Sequence, residues 1–189
     1  MRPEFRSIVA IATLAALTAA CADPQTRLKD ARACLQKRDL PCAELNLKTY
    51  LKRYDHDARD TALLAIILTQ ERKHLEAIDM HKKATDLGVA DPQLFANYAT
   101  SLEATGDIPG AITWNRKALE LDPTLVDVAA TTARQLNQTG HTAEAVSVLT
   151  NFDAVQTAHG QPAHFAALIT TLSSSLTPAA PTAPDPSLP

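Results

Sequence analysis

Small residues recur along this chain with a period of 34 positions. One series, spaced by that period, comprises Ala43, Ala77, Ala111 and Ala145. A second series, twelve residues earlier in each period, comprises Ala31, Ala65, Ala99 and Ala133. Two further series keep the same spacing, Cys34, Leu68, Leu102 and Leu136, and Tyr50, Ala84, Ala118 and Phe152. A fixed period of this length without insertions is typical of a repeat array, in which each unit packs against its neighbours.

The stretch 106–123 shows what one period contains. Gly106 is suited to ending a helix, because glycine adopts the left-handed conformation found there. Asp107 can cap the following helix, and Pro109 is tolerated in its first turn. Pro123 then stops that helix. The stretch therefore predicts a helix end, a tight turn and a second helix.

This stretch resembles the second half of a tetratricopeptide (TPR) repeat. The period extends the resemblance to four helix-turn-helix repeats, each with a first helix A and a second helix B, over residues 24–57, 58–91, 92–125 and 126–157. The resemblance implies an all-α fold, a right-handed α-solenoid. Ala167 continues the period once more, and Pro162 is suited to beginning a helix. We therefore expect a capping helix over residues 160–176 that covers the last repeat.

The third repeat is nearest to the TPR pattern, and the others depart from it. The turn glycine is replaced in repeats one and two by Arg38 and Arg72. The closing proline is replaced by Asp55, Val89 and Thr157. A position that is usually aromatic or aliphatic is polar at His81 and Asn115. We expect these departures to blur helix ends and local packing while leaving the period intact.

The first twenty residues predict an export signal. Arg2 and Arg6 give a weakly positive start, and residues 8–20 are uncharged and apolar for thirteen positions. That run is too short to span a bilayer and has the length of a signal-peptide core.

Residues 17–21, Leu-Thr-Ala-Ala-Cys, resemble the lipobox of bacterial lipoproteins. The resemblance implies that Cys21 is diacylated and becomes the new N-terminus, followed by a short linker to residue 23. Ala22, rather than aspartate, implies sorting to the outer membrane, with the protein facing the periplasm. Ordinary cleavage after Ala20 or Ala22 is the alternative, and it would leave a soluble periplasmic protein.

Cys34 and Cys42 remain as a pair once Cys21 is acylated. An exported chain meets an oxidising compartment, in which such a pair can form a disulfide. Cys34 falls near the end of helix A in repeat one, and Cys42 near the start of helix B. We therefore expect a disulfide across this hairpin. Two buried small hydrophobic side chains are the alternative.

Charge and composition limit the classes of partner that the chain can bind. The chain carries 18 basic and 21 acidic side chains, a formal net charge of −3, so nothing favours a nucleic acid as partner. Residues 177–189 contain five prolines. We expect this tail to be extended and disordered.

The sequence offers no catalytic or cofactor motif. A Gly-rich phosphate loop, His-Glu-x-x-His and Gly-x-Ser-x-Gly are all missing. His74, His81 and Asp79 come nearest to a metal site, but such a site needs three or four convergent ligands. Histidines at the surface or groove edge are the preferred interpretation, and Trp114 is interpreted as packing rather than ligand stacking. We predict no enzymatic activity, no cofactor and no metal.

We therefore expect the function to depend on the surface that the repeats form together. In TPR proteins the A helices line a concave groove that holds a peptide, and the resemblance assigns a row of residues to each A helix. The candidate groove residues are Lys29, Arg32, Arg59, Leu63, Ile66, Asn97, Thr100, Arg134 and Asn137. Their rows also contain Gln25, Leu28, Leu35, Ala62, Thr69, Gln93, Ala96, Glu103, Asp127, Ala130 and Thr131.

These rows combine cations with an aliphatic centre at Leu63 and Ile66. They fit a peptide with one or two aliphatic anchors and some acidic character. Of the lysine/asparagine clamp that some cytosolic TPR co-chaperones use, only Asn97 has an equivalent. The alternative is that the rows are solvated helix faces, and that Leu63 and Ile66 pack within their own repeat.

Two functional hypotheses follow. The first is a non-enzymatic, lipid-anchored periplasmic TPR adaptor that binds a protein or peptide segment of an envelope assembly. A lipoprotein signal followed by TPRs resembles the Tad (Flp) pilus-assembly lipoproteins and, more loosely, the pilotins of type IV pili. The second is a TPR accessory to periplasmic enzymes, such as those of cytochrome maturation or cell-wall hydrolysis.

Overall fold

The computed structural model describes residues 23–176. The predicted signal peptide (1–20), Cys21 and the proline-rich tail (177–189) lie outside the described residues. The described part contains helices and turns, and no strand. Its helices are α1 (Pro24–Gln36), α2 (Leu40–Leu51), α3 (Ala58–Gln70), α4 (His74–Asp86), α5 (Pro92–Ala104), α6 (Ile108–Leu121), α7 (Val126–Gln138), α8 (Thr142–Ala158) and α9 (Ala166–Leu176).

The helices form two compact units. The N-terminal unit, described over residues 23–89, contains α1 to α4, and the C-terminal unit, described over residues 90–176, contains α5 to α9. In each unit helix A packs against helix B of its own repeat, and helix B packs against the next helix A. Among the helices described, none has the length and apolar character needed to cross a membrane.

The helix bounds keep the period of the sequence. The A helices begin at Pro24, Ala58, Pro92 and Val126. The B helices begin at Leu40, His74, Ile108 and Thr142. Each start is 34 residues from the next, so the period of the alanines is also the period of the helices.

Helix A ends in the same way in all four repeats. Arg38 and Arg72 have φ of 57° and 61°, where the later repeats have Gly106 and Gly140 with φ of 89° and 82°. In each turn this residue donates its N–H to the carbonyl three residues earlier, and the next residue donates to the carbonyl five residues earlier. The expectation that the arginines would blur these ends was wrong. The two hydrogen bonds hold the turn, although a left-handed arginine costs about 1–2 kcal/mol.

Helix B does end differently from repeat to repeat. Pro123 follows α6 closely, and that helix ends at Leu121. Thr157 occupies the equivalent position in the fourth repeat and lies inside α8, which runs on to Ala158. Repeats one and two also lack the proline, but their B helices end at Leu51 and Asp86. The predicted blurring is therefore found only in repeat four, where no proline stops the helix.

Aspartates cap four of the helices. Each accepts a hydrogen bond from the backbone N–H three residues later, at 2.8–3.0 Å, and they are Asp39, Asp57, Asp91 and Asp107. The cap predicted at Asp107 is among them, bonded to Gly110 at 3.0 Å. These caps satisfy amide groups that have no partner inside the helix.

Both alanine series are buried. Every member of the two series is 0–2 % exposed. Small side chains at these positions let the helices approach closely, and a larger one would have no room in a close-packed interior. The spacing of the core is therefore set by residues that the sequence already singles out.

The two units have separate hydrophobic clusters. The N-terminal cluster is built around Leu28, Leu47, Leu64, Ile67 and Leu68. A C-terminal cluster contains Ala133, Leu136, Ala145 and Leu149. Trp114 lies in the C-terminal unit with its ring centroid 4.6 Å from that of Tyr98 and 5.1 Å from that of Phe95. It packs against aromatic rings, as the sequence interpretation has it.

The last helix begins later than expected. α9 starts at Ala166, so Pro162 does not begin it. The carboxylate of Asp153, on α8, accepts hydrogen bonds from the N–H groups of His164 at 2.7 Å and Phe165 at 3.0 Å. This tertiary cap fixes where the helix starts, because a carboxylate satisfies the amide groups of a first turn.

One face of α9 covers the C-terminal cluster. Phe165, Ile169 and Leu172 are half-buried against it. Ala167, which continues the series of buried alanines, is exposed, because no helix B follows α9 in the described part of the chain. The helix acts as the lone cap that the sequence predicts.

Candidate functional site

The first candidate row lies on α1 and forms a shallow depression. Its volume is about 390 Å³, and its lining comes from α1 alone, including Lys29 and Arg32. Arg59, in the second row, is exposed on α3 but does not line it. Lys29 and Arg59 have no ion-pair partner within residues 23–176. The N-terminal unit therefore presents exposed cations at the predicted positions.

Arg32 lies within electrostatic reach of a buried carboxylate. Burial and the neighbouring Asp57 raise the pKa of Asp60 above its ordinary value, and the Arg32 guanidinium offsets part of that rise. Asp60 is 6 % exposed. Arg32 therefore interacts with a carboxylate of its own unit and is less available to a ligand.

The second row belongs largely to the core. Ala62 and Thr69 are buried, and Leu63 is half-buried against the N-terminal cluster. Ile66 is also half-buried. Of the apolar centre that the sequence places at Leu63 and Ile66, Leu63 therefore packs in its own unit, which is the alternative stated for it.

The third and fourth rows meet in the C-terminal unit. A cavity of about 190 Å³ lies between α5 and α7, and predicted row residues make up most of its lining. They are Gln93, Ala96, Asn97, Thr100, Glu103, Asp127 and Thr131. Asn97 and Thr100 each bond to a carbonyl of their own helix, at 2.7 and 2.9 Å. The cavity wall is thus built from amide, hydroxyl and carboxylate groups.

Arg134 and Asn137 stand outside this cavity. Nη2 of Arg134 forms an ion pair with Oε1 of Glu103 at 2.7 Å, so the cation is neutralised by a residue of the same predicted groove. Asn137 accepts a hydrogen bond from Thr142 at 2.8 Å. The cationic character expected for this half of the groove is therefore not found in the cavity, whose lining contains Glu103 and Asp127 but no lysine or arginine.

A buried pair of amides adjoins the cavity. Nδ2 of Asn115, which lines the cavity, donates to Oε1 of Gln135 at 3.2 Å. Gln135 is fully buried, and its Nε2 has no hydrogen-bond partner among residues 23–176. The sequence interpretation flagged Asn115 but missed Gln135. A signal was present, since the position 68 residues before Gln135 is the aliphatic Ile67.

The histidine considered as a metal ligand is a core residue. His81 is fully buried, and its Nε2 lies 2.9 Å from Oγ1 of Thr69. Burial lowers the pKa of His81 to about 4, so the ring is neutral at physiological pH. The expectation of a surface or groove-edge position was wrong for this residue. Within residues 23–176, no three histidine, cysteine, aspartate or glutamate side chains converge as a metal site would require.

A charge network in the N-terminal unit was not predicted. Glu44 on α2 bonds to Lys48 at 2.7 Å and to Lys73, next to α4, at 2.5 Å. Burial acts to raise the pKa of Glu44, but the hydrogen bonds from the two lysines outweigh it and lower the pKa to about 2. The Glu44–Lys48 spacing of four residues was a visible signal, whereas the contact with Lys73 needs the tertiary fold.

Cys34 and Cys42 are joined by a disulfide, with their Cα atoms 5.8 Å apart. The bridge spans the turn between α1 and α2, the pairing that the sequence leads us to expect. Cys34 also packs against the N-terminal cluster. The bond therefore closes the first hairpin of the described chain.

Comparison with known proteins supports the fold and leaves the family open. No protein-family model matches the chain, and no curated protein matches it either. Among solved structures, MamA from Desulfovibrio magneticus RS-1 is similar with a TM-score of 0.64 and 14% identity, covering 72% of this chain and 77% of MamA.

Two other solved structures are described as TPR proteins. YrrB, a TPR protein with an unusual peptide-binding site, is similar with a TM-score of 0.63 and 19% identity, covering 75% of this chain and 73% of YrrB. A tetratricopeptide repeat protein from Parabacteroides merdae has a TM-score of 0.63 and 16% identity, covering 71% of this chain and 54% of that protein. At these identities the likeness establishes the fold alone, and that fold is the α-solenoid of TPR repeats with a terminal helix.

Proposed function

We propose that this protein is a non-enzymatic adaptor that binds a peptide segment of a protein partner along its A helices. The observation that carries the proposal is the C-terminal cavity, where Asn97 and Thr100 on α5 face Asp127 and Thr131 on α7. Amide and hydroxyl groups on the walls of a cleft can hydrogen-bond the backbone of an extended peptide. The description of YrrB as a protein with a peptide-binding site supports a peptide as the ligand class.

Each unit by itself offers different chemistry to a partner. Lys29 and Arg59 are exposed cations on the A helices of the N-terminal unit, and they favour an acidic segment. The C-terminal cavity contains Asp127 and a Glu103 already paired with Arg134. Its selectivity rests on hydrogen bonding rather than on attraction of acidic side chains.

We also propose a cellular setting, which rests on residues 1–21. The export signal and the lipobox-like end favour a lipid anchor on Cys21 in the outer membrane, with the repeats in the periplasm and a partner in an envelope assembly of pilus or secretion type. Cys21→Ser should release the protein to the soluble periplasmic fraction or leave it unprocessed. Detergent partitioning that is unchanged by this substitution would contradict the lipid-anchor proposal.

Peptide binding can be tested with a matched pair of substitutions. Thr100 lines the cavity and Thr150 lies on α8, and both are exposed with a hydroxyl bonded to a carbonyl of their own helix. The full-length protein is crosslinked to its partner in membranes, and the captured partner is quantified. Thr100→Arg should fill the cavity and reduce that capture at least tenfold. Thr150→Arg should leave capture unchanged. Surface changes of this kind usually alter stability by less than about 0.5 kcal/mol, so both variants should melt with the parent.

The outcomes separate the groove from other surfaces. Retention of the partner by folded Thr100→Arg would place binding outside the C-terminal cavity. Equal loss with Thr150→Arg would show that the effect is not specific to the groove.

A further inference from the structure

The B helices of each unit enclose a cleft of their own, away from the candidate groove. In the N-terminal unit it lies between α2 and α4, with three residues of α3 also in its lining, and has a volume of about 350 Å³. In the C-terminal unit it lies between α6 and α8 and has a volume of about 410 Å³. The lining positions correspond at a distance of 68 residues, as for Leu51 with Leu119 and Met80 with Val148. We call them the N-terminal and C-terminal B-helix clefts.

An equivalent ion pair joins the walls of both clefts. Lys48 on α2 contacts Glu76 on α4 at 2.5 Å. At the positions 68 residues later, Arg116 on α6 contacts Glu144 on α8. These residues also line their clefts. The two clefts are therefore built on the same plan.

Their remaining polar walls differ. Besides the paired Lys48 and Glu76, three charged residues line the N-terminal B-helix cleft: Lys52, Asp79 and Lys83. At the equivalent positions the C-terminal B-helix cleft has Glu120, Ser147 and Asn151. The C-terminal B-helix cleft therefore has neither lysine, and it has a carboxylate in place of one of them.

The C-terminal B-helix cleft also has the larger apolar surface. Leu119 and Pro123 form one wall, and Val148, Phe152 and Val155 form the other. Its volume lies within the range of about 300–1,000 Å³ that is usual for ligand sites. A bulky apolar side chain of a partner would be removed from water on both sides in such a cleft.

Glu120 supplies the charge preference. It has no ion-pair or hydrogen-bond partner in the part of the chain that the structure describes, whereas the Glu144 carboxylate is paired with Arg116. Hydrogen bonding to Arg116 lowers the pKa of Glu144 below its ordinary value. A cation next to the apolar anchor would therefore meet an uncompensated carboxylate at the rim of the cleft.

We propose that the C-terminal B-helix cleft binds a peptide segment of a partner protein in which a bulky apolar side chain is flanked by lysine or arginine. The apolar side chain lies among Leu119, Val148 and Phe152, and the cation pairs with Glu120. This site uses helices B, so it is independent of the groove on helices A.

A photo-crosslinking peptide tests this assignment directly. The probe is a fluorescein-labelled pentapeptide with benzoylphenylalanine at its centre and a lysine on each side, added to the full-length protein in detergent micelles. It should crosslink to α6 and α8 and bind at least fivefold more tightly, by fluorescence anisotropy, than the same peptide with glutamates on each side.

The N-terminal cleft provides the matched variant. The triple substitution Glu120→Lys, Ser147→Asp and Asn151→Lys places the residues of the N-terminal cleft in the C-terminal one. All three positions are exposed, and the same residue types are accommodated in the N-terminal unit, so the fold should be kept. This variant should lose the preference for the lysine peptide, while Lys52→Glu should leave crosslinking at α6 and α8 unchanged.

The result can also overturn the proposal. Crosslinks outside α6 and α8, or equal affinity for the two peptides, would remove the assignment. Binding that appears only after deletion of residues 177–189 would make the chain itself the occupant. Crosslinks between two protein molecules through this cleft would make the occupant a second copy.

Discussion

The two units of this protein put different chemistry at equivalent positions of one fold. In the N-terminal unit, Leu47 and Ile67 are both buried in the hydrophobic cluster. In the C-terminal unit, the positions 68 residues later hold Asn115 and Gln135, which are hydrogen-bonded to each other at 3.2 Å. Both pairs are at most 4 % exposed. An apolar contact in one unit is therefore a buried amide pair in the other.

The difference separates what the repeat requires from what it tolerates. The alanines that let helices approach are buried in both units, because no larger side chain fits there. Positions between them accept leucine, histidine or asparagine when a partner satisfies the polar group. The amide of Gln135 is only partly satisfied, since its Nε2 has no partner in the described part of the chain. The candidate groove lies beside it.

Larger side chains at the buried alanines should have the largest effect on stability, and that effect should be equal in the two units. Ala43→Leu and Ala111→Leu each add a larger side chain where exposure is 0 %, and each should lower the free energy of unfolding by about 1–3 kcal/mol. Ala145→Leu should behave in the same way. Ala143→Leu is the control, because Ala143 is exposed on α8. Urea unfolding measures all four, and a loss confined to one unit would break the equivalence.

A fall in pH should have the second-largest effect, and it should destabilise the N-terminal unit. Burial lowers the pKa of His81 from its ordinary value of 6.5 to about 4. The unfolded chain therefore takes up this proton at a higher pH than the folded chain, so the stabilisation is complete above pH 6.5 and is lost as the pH falls towards 4. Between pH 7 and pH 5 the loss should be about 2 kcal/mol.

The control for this prediction comes from the repeats themselves. His81→Leu introduces the residue found at the equivalent positions Leu47 and Leu149, and it should abolish the loss. Hydrogen exchange of α3 and α4 at the two pH values, corrected for intrinsic rates, gives the measurement. Glu44, with its pKa lowered to about 2, should add a second loss as the pH falls from 4.5 to 2. Equal acid sensitivity of parent and His81→Leu would show that the histidine is not responsible.

Replacing the buried amide pair of the C-terminal unit by an apolar pair tests the comparison further. The double substitution Asn115→Leu and Gln135→Ile gives the C-terminal unit the apolar pair of the N-terminal unit. It should raise the free energy of unfolding by roughly 1–2 kcal/mol, because an unsatisfied buried donor disappears. Gln135→Ile alone should destabilise, since Asn115 loses its partner. If the double variant is less stable than the parent, the amides contribute to the fold and not only to the groove.

The smallest effect is expected at the turns. Arg38→Gly and Arg72→Gly replace left-handed arginines with the residue of the later repeats, and each should stabilise the N-terminal unit by about 1 kcal/mol. Gly106→Arg should cost the C-terminal unit a similar amount. Thermal unfolding checks the three variants, and no change in any of them would mean that turn strain does not distinguish the units.

The sequence predicted the fold well because its strongest signals are local and repeated. Every helix A and helix B begins 34 residues after the previous one, in step with the alanines. Cys34 and Cys42, on either side of one turn, were paired correctly for the same local reason. The start of α9 was missed because its cap is Asp153, which lies on another helix.

The candidate site was predicted less completely. Repeat position placed Asn97 and Thr100 on one helix face, and the structure finds them in a single cavity with Asp127. It also placed Arg134 there as a cation for the ligand, whereas Glu103 neutralises it. Which charges remain available depends on contacts between repeats, and a period cannot describe those.

The sequence by itself determined the repeat length, the helix pairs and the buried alanine series, because packing at a fixed spacing leaves its mark on residue size. The tertiary structure alone decided which polar groups find distant partners: His81 with Thr69, Asn115 with Gln135, and Glu44 with Lys73. Side chains of similar size and polarity can point at a ligand or at a neighbouring helix. Only the positions of residues far apart in the chain, brought within about 3 Å, distinguish these two uses.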